Sequence, residues 1–103
     1  MLEVVKMLPI VGTNHWDPMI FCPACQRGHV FSVAPIHATG HRWGWNGDKM
    51  KPTFTPSMMI YDGEGKPECH SVITDGMIAF QTDCSHGMRG QTVPLAPFTQ
   101  EEW

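Results

Sequence analysis

The sequence predicts a mostly β fold: a single antiparallel meander that opens with a zinc knuckle and is stapled by a structural zinc ion, with at most one short helical turn. Three observations carry that prediction. Asp75-Gly76 divides two runs of alternating polar and apolar residues between Cys69 and His86, the strongest short-range hairpin signature. Cys22-Pro-Ala-Cys25 is followed by Gly28 and an alternating run from His29 to Val33, the shape of a metal knuckle between two strands. Ten glycines and nine prolines break the rest into a loop-rich chain, and six histidines and four tryptophans offer polar rings for a site.

With 103 residues, the chain has the size of one domain spanning residues 1–103. So short a chain buries a modest core, and a metal clip adds appreciably to its stability. A net charge of -3, a pI near 6.0 and scattered basic residues exclude a nucleic-acid surface. No apolar run reaches the roughly 18 residues of a membrane span. Met1-Leu-Glu-Val-Val-Lys6 lacks the basic start and long apolar stretch of a signal peptide, so a cytoplasmic location is expected. There, four cysteines are better explained as metal ligands than as two disulfides.

The elements follow in order. Residues Leu2 to Leu8 read as a strand stopped by Pro9, and Gly12 to Pro18 as a loop in which His15 is a surface residue. Met19-Ile-Phe21 leads into the knuckle. A redox C-x-x-C would need a helix directly after it, which Gly28 and the alternation beyond argue against. Pro35 to Gly40 is a loop with His37 in it and His41 at its end. Trp43 and Trp45 then share one face of a short strand that Asn46-Gly47 turns. Core packing is the plainer reading of the pair, and a substrate wall is the other. Lys51-Pro-Thr-Phe-Thr-Pro-Ser57 is stiff and extended, because each proline holds its predecessor in β or polyproline space. Met58 to Tyr61 is a strand, Asp62 to Pro67 a loop, and Glu68 opens the hairpin. Ser57 thus begins one strand and His70 lies near the start of the next. If the two strands are neighbours, those starts fall at opposite ends of the pair, and the order alone leaves their meeting open. Beyond Cys84, Ser85 to Val93 is a glycine-punctuated loop or short edge strand. Thr99-Gln-Glu-Glu102 matches a capping box at a terminal turn of helix, with Trp103 packed back.

The hairpin register divides its side chains between two faces. With Asp75-Gly76 at the turn, Thr74 stands opposite Met77, and residues opposite one another share a face. Cys69, Ser71, Ile73, Ile78, Phe80, Thr82 and Cys84 fall on the apolar side. His70, Val72, Thr74, Met77, Ala79, Gln81 and Asp83 fall on the other. The thiols lie behind and the imidazole in front, with Asp83 diagonal to it.

Cys22, Cys25, Cys69 and Cys84 are all the cysteines present, and four thiolates make a closed tetrahedral zinc site with no position left for water. Alternatives are His86 in place of one hairpin cysteine, an open catalytic metal using His70 or His29, or no metal. A zinc deaminase is excluded, since Cys22 precedes its proline and no H-x-E occurs. In front, Ser57, His70 and Asp83 (or Asp48) form the residue set of acyl transfer: a hydroxyl, an imidazole to take its proton, and a carboxylate to orient the ring. Backbone N–H groups near Asn46-Gly47 are candidates to hold the oxyanion. Cys69 is a poor nucleophile for His70, because neighbouring strand residues face opposite ways. A hydrolase and a non-catalytic zinc module that binds a protein both remain open on these grounds.

Cys22-Pro-Ala-Cys25, Trp43-Gly-Trp-Asn-Gly-Asp48, Lys51-Pro-Thr-Phe-Thr-Pro-Ser57, Cys69-His-Ser-Val-Ile-Thr-Asp-Gly76 and Asp83-Cys-Ser-His86 with Gly90-Gln-Thr-Val93 occur together over residues 20 to 95. In that order they resemble a family of small phage and prophage proteins of unassigned function, often labelled ammonia monooxygenase in genomes. Related domains accompany bacterial operons for ubiquitin-like conjugation, where they are regarded as peptidases that trim the modifier's C-terminal tail. Those domains carry Pro-Ser, then Ser-His before a hairpin turn. Pro56-Ser57 and His70 match, while Cys69 stands where that branch has serine. The resemblance implies a peptidase-like hydrolase with Ser57 as nucleophile and His70 as base, acting on a protein or peptide tail. Trp43, Trp45 and Asn46 would line the path of that tail. The other reading is a non-catalytic phage zinc module that binds a host protein in the host cytoplasm. The sequence does not give an oligomeric state.

Overall fold

The structure is a computed structural model that describes residues 3–37, 40 and 42–97. It is built of eight strands in two antiparallel sheets, with no helix among the described residues. Strands β1 (Val5–Pro9), β2 (Trp16–Cys22) and β3 (Arg27–Val30) form the first sheet in chain order. Strands β4 (Gly44–Trp45), β5 (Phe54–Tyr61), β6 (Pro67–Thr74), β7 (Met77–Phe80) and β8 (Thr92–Pro94) form the second, also in chain order. The expected mostly β, antiparallel character holds, but the meander is split in two between β3 and β4. The terminal turn at Thr99–Glu102, Trp103 and His41 lie outside the described residues. Among the described residues, no helix is long and apolar enough to cross a membrane.

The segment between the sheets is pinned by one buried carboxylate. Asp17 Oδ1 accepts the N–H groups of Val33 and Ala34, each at 3.0 Å, and Oδ2 lies 2.7 Å from His37 Nε2. Burial alone would raise the Asp17 pKa, but the Ala34 N–H, the His37 ring and the Val33 N–H together hold it below the usual carboxylate value. Trp43 N–H then donates to the Ser32 carbonyl and turns the chain into β4.

The core lies where the sheets meet. Phe31, just past β3, stacks on Phe54 of β5 with centroids 4.1 Å apart and planes 9° apart. Around this pair, Val5 and Ile20 from the first sheet, with Val4 just before it, join Met58, Ile73, Ile78 and Phe80 from the second, with Leu95 just after it. Each large apolar side chain buried here stabilises the fold by about 1.5–3 kcal/mol.

The central hairpin has the register its alternation predicts: Thr74 opposite Met77, Ile73 opposite Ile78, Val72 opposite Ala79 and Ser71 opposite Phe80. Asp75 and Gly76 take positive φ angles of 50° and 79°, the backbone of a type I′ turn whose twist matches that of the strands. The pairing of β5 with β6 was not legible in the sequence. From the Phe54–Ile73 pair to the Met58–Ser71 pair, β5 advances four residues while β6 retreats two, so a bulge around Thr55-Pro56 absorbs the excess. The strand therefore starts before Ser57, not at it, and Met59 comes to lie opposite His70.

Candidate active site and metal centre

Ser57 and His70 sit on adjacent strands, diagonal to one another on one face of the second sheet. Ser57 is two residues from Met59, the residue directly across from His70. The Ser57 hydroxyl lies 3.0 Å from His70 Nε2. The other ring nitrogen, Nδ1, faces both carboxylate oxygens of Asp83, at 3.1 and 3.2 Å. Hydroxyl, imidazole and carboxylate thus run in a line across the sheet, from β5 through β6 to the segment after β7. The ring is about a quarter exposed and the carboxylate about half.

Asp83 reaches the ring by a turn, not along an extended strand. Strand β7 ends at Phe80; Gln81 N–H adds one more rung to the His70 carbonyl at 2.8 Å, and Cys84 N–H then closes a turn on the Gln81 carbonyl at 3.2 Å. The turn tucks Cys84 beneath the sheet, 4% exposed. There its thiol takes over from the missing strand, accepting the His70 N–H at 3.1 Å and donating to the His70 carbonyl at 3.2 Å. Asp48 is not the orienting carboxylate; its Oδ1 accepts the N–H groups of Met50 and Lys51 within its own loop.

Behind that face, Cys22, Cys25, His29 and Cys69 bring four donor atoms to within 4.8 Å of one another. Cys22 ends β2, Cys25 lies in the following turn, His29 is on β3 and Cys69 is on β6, so the group draws on both sheets. All four cysteines are free thiols. Buried His29 Nε2 has no hydrogen-bond partner, a cost of about 1–3 kcal/mol that a bound cation would remove. The Cys69 thiol donates to Cys22 and holds the Cys22 pKa down at about 3; burial and the neighbouring Cys22 thiolate push Cys25 up to about 11, and the hydrogen bond to Cys22 together with burial pushes Cys69 well above its ordinary value. One thiolate forms easily and further ionisation is opposed, which is the electrostatics of a cluster that needs a cation to carry more charge. Three sulfurs and an imidazole suit a closed tetrahedral zinc site, whose donors stand about 3.3–3.8 Å apart given bonds of about 2.0–2.3 Å.

This set differs from the four cysteines expected of the sequence: His29 joins, and Cys84 lies outside it. The hairpin register puts both thiols on one face, but the turn after Phe80 commits Cys84 to the His70 backbone. A second group, Cys69, Cys84 and His86, shares Cys69 and supplies three donors. His86 Nδ1 accepts the Met88 N–H at 3.2 Å, its ring stands edge-on to Phe80, and its Nε2 is buried without a partner. The spacing Cys25-x-x-x-His29, with the histidine on the inward positions of its strand, was the signal available for His29.

The other expected site residues have structural contacts of their own. Trp45 stacks on Phe54 at 5.9 Å and Trp43 meets Phe31 edge-on at 5.6 Å, so both rings pack against the core. Trp43 also reaches the site, its indole Nε1–H donating to the Ser57 carbonyl at 3.4 Å. Asn46 cements its turn, with Oδ1 accepting from Asp48 and Thr53 and Nδ2 donating to Lys51, and its backbone N–H is used by Thr53.

Compared with known proteins, the chain matches the family model described as bacterial ubiquitination-like system serine protease (BubE) over residues 3–81. The match includes Ser57 and His70 with the whole four-donor cluster, and it ends just before Asp83. No curated protein and no solved structure matches the chain.

Proposed function

The chain belongs to the BubE family of bacterial ubiquitination-like system serine proteases, and from that premise we propose that Ser57, His70 and Asp83 are its catalytic set. The observation that carries this reading is the 3.0 Å approach of Ser57 Oγ to His70 Nε2, with the opposite ring nitrogen on Asp83. As Oγ bonds to a carbonyl carbon, His70 Nε2 takes its proton. The ring then delivers that proton to the leaving amine as the C–N bond breaks, which leaves an acyl-serine that water hydrolyses with the same base. Asp83 fixes the tautomer that leaves Nε2 free to accept and steadies the charged ring.

The substrate we assign is the extended C-terminal tail of a ubiquitin-like modifier, on which the chain acts as one cytoplasmic domain. Cys22, Cys25, His29 and Cys69 hold a structural zinc ion, which ties the two sheets together and takes no part in the chemistry. A fluorophosphonate that labels serine nucleophiles tests the reading. Labelling of the metal-loaded protein should depend on both Ser57 and His70. If folded, metal-loaded protein stays unlabelled, the enzyme reading fails and a non-catalytic zinc module that binds a protein takes its place.

A further inference from the structure

Resting on that reading, we propose that the substrate tail binds as an added β-strand on the open edge of β5, antiparallel to it, with Met59 supplying the main-chain contacts. The triad itself sets the direction of approach. His70 lies on the β6 side of Ser57 and takes its proton there. The carbonyl must therefore arrive on the other side of the hydroxyl, toward the edge of β5 that faces away from β6.

Among the described residues, that edge is free where it is needed. There, β4 pairs with β5 only at Phe54 and Thr55. Met59 lies directly opposite His70, and the His70 N–H and carbonyl both point toward the hairpin partner, engaged by Cys84 and Gln81. Met59 and His70 are thus a pair that exchanges no backbone hydrogen bonds, so the N–H and carbonyl of Met59 point outward, away from β6. The Ser57 carbonyl also points outward, and Trp43 occupies it. The ladder open to a guest chain therefore begins at Met59, two residues from the nucleophile. Tyr61, the next outward position, is 60% exposed.

A guest that continues the line of β4 runs antiparallel to β5. It enters at Tyr61, exchanges two hydrogen bonds with Met59, and carries its C-terminal end to Ser57. That polarity suits a tail whose body lies before the bond to be cut. Strand addition draws its affinity from the main chain, so the guest is an extended peptide free of proline at the residue facing Met59.

Replacement by proline at Met59 tests this directly. Its N–H faces outward, so Met59→Pro leaves the β5–β6 ladder intact, as proline does on an edge. Ser57 labelling would be timed with two probes: a small alkyl fluorophosphonate, and a pooled library of peptidyl diphenyl phosphonates that present an extended chain before the phosphorus. Wild-type protein should react faster with the peptidyl pool than with a diphenyl phosphonate bearing no peptide. Met59→Pro should lose about tenfold of that advantage. The advantage is read within each variant as the ratio of the peptidyl rate to the bare-phosphonate rate, so any change in the reactivity of Ser57 itself cancels. Met59→Ala should keep the wild-type ratio. A pool with no advantage over the bare phosphonate, or an advantage that survives in Met59→Pro, overturns the edge-docking inference while leaving the triad standing. Absence of labelling by the fluorophosphonate in wild type overturns the triad itself.

Discussion

His70 is held on three sides: by Ser57 at Nε2, by Asp83 at Nδ1, and through its peptide by the Cys84 thiol. The contributions are separable. Asp83→Asn presents the ring with the wrong partner, a change that costs about 10⁴-fold where the triad aspartate is fully buried. Asp83 is about half exposed and screened by water. We therefore expect a smaller loss, about 10–100-fold, in the rate of Ser57 labelling. Cys84→Ala strands the His70 N–H and should cost about 1–3 kcal/mol on chemical denaturation while the metal content stays unchanged. Loss of metal would instead make Cys84 a ligand. Far from the site, Asp17→Ala removes three bonds from one buried carboxylate and should lower stability by about 2–4 kcal/mol. Because the folded pKa of Asp17 is lowered, its ionisation stabilises the protein above the ordinary carboxylate value and that gain is lost as pH falls through the lowered one. In melting curves, the gap between wild type and Asp17→Ala should be constant near neutrality and shrink below about pH 4.

Among the elements, the hairpin of β6 and β7 was readable from residue order, because a type I′ turn at Asp75-Gly76 fixes register and register fixes which face each residue takes. Gly76 also lies tight against the loop before β5, where an added Cβ would stand 3.2 Å from Lys51 Cα and 3.3 Å from the Met50 carbonyl. With its φ of +79° as well, Gly76→Ala should cost about 1–2 kcal/mol, measured by denaturant titration. The bulge in β5 was not readable, since two prolines in Lys51–Ser57 give stiffness without saying how a neighbouring strand pairs across them. The meeting of Ser57 with His70 depends on that offset. Nor did alternation show that β7 stops at Phe80, so the residues that follow turn where the period continues them as a strand. Asp83 arrives where the alternation placed it, but Cys84 is turned onto the His70 backbone, outside the four-donor group.

For the molecule as a whole, the donor cluster bridges two small sheets: Cys22, Cys25 and His29 come from the first sheet and its turn, and Cys69 from the second. Metal binding by such a site is folding energy, on the order of 10 kcal/mol. Chelation should therefore collapse the near-ultraviolet dichroism of the core tryptophans and phenylalanines, and Cys69→Ser should abolish stoichiometric zinc where His70→Ala retains it. His29→Ala is the sharper case, since residue order alone favoured Cys84; it should strip the metal as thoroughly as Cys69→Ser does.

Cys69 and His70 are consecutive, one turned inward and the other outward. A single peptide unit thus joins the inward donor cluster to the outward catalytic set we propose. On the proposed reading, a protein starved of its metal would lose the seat of its proton acceptor along with the seam between its halves, so that scarcity of the metal would silence the proposed enzyme without any inhibitor.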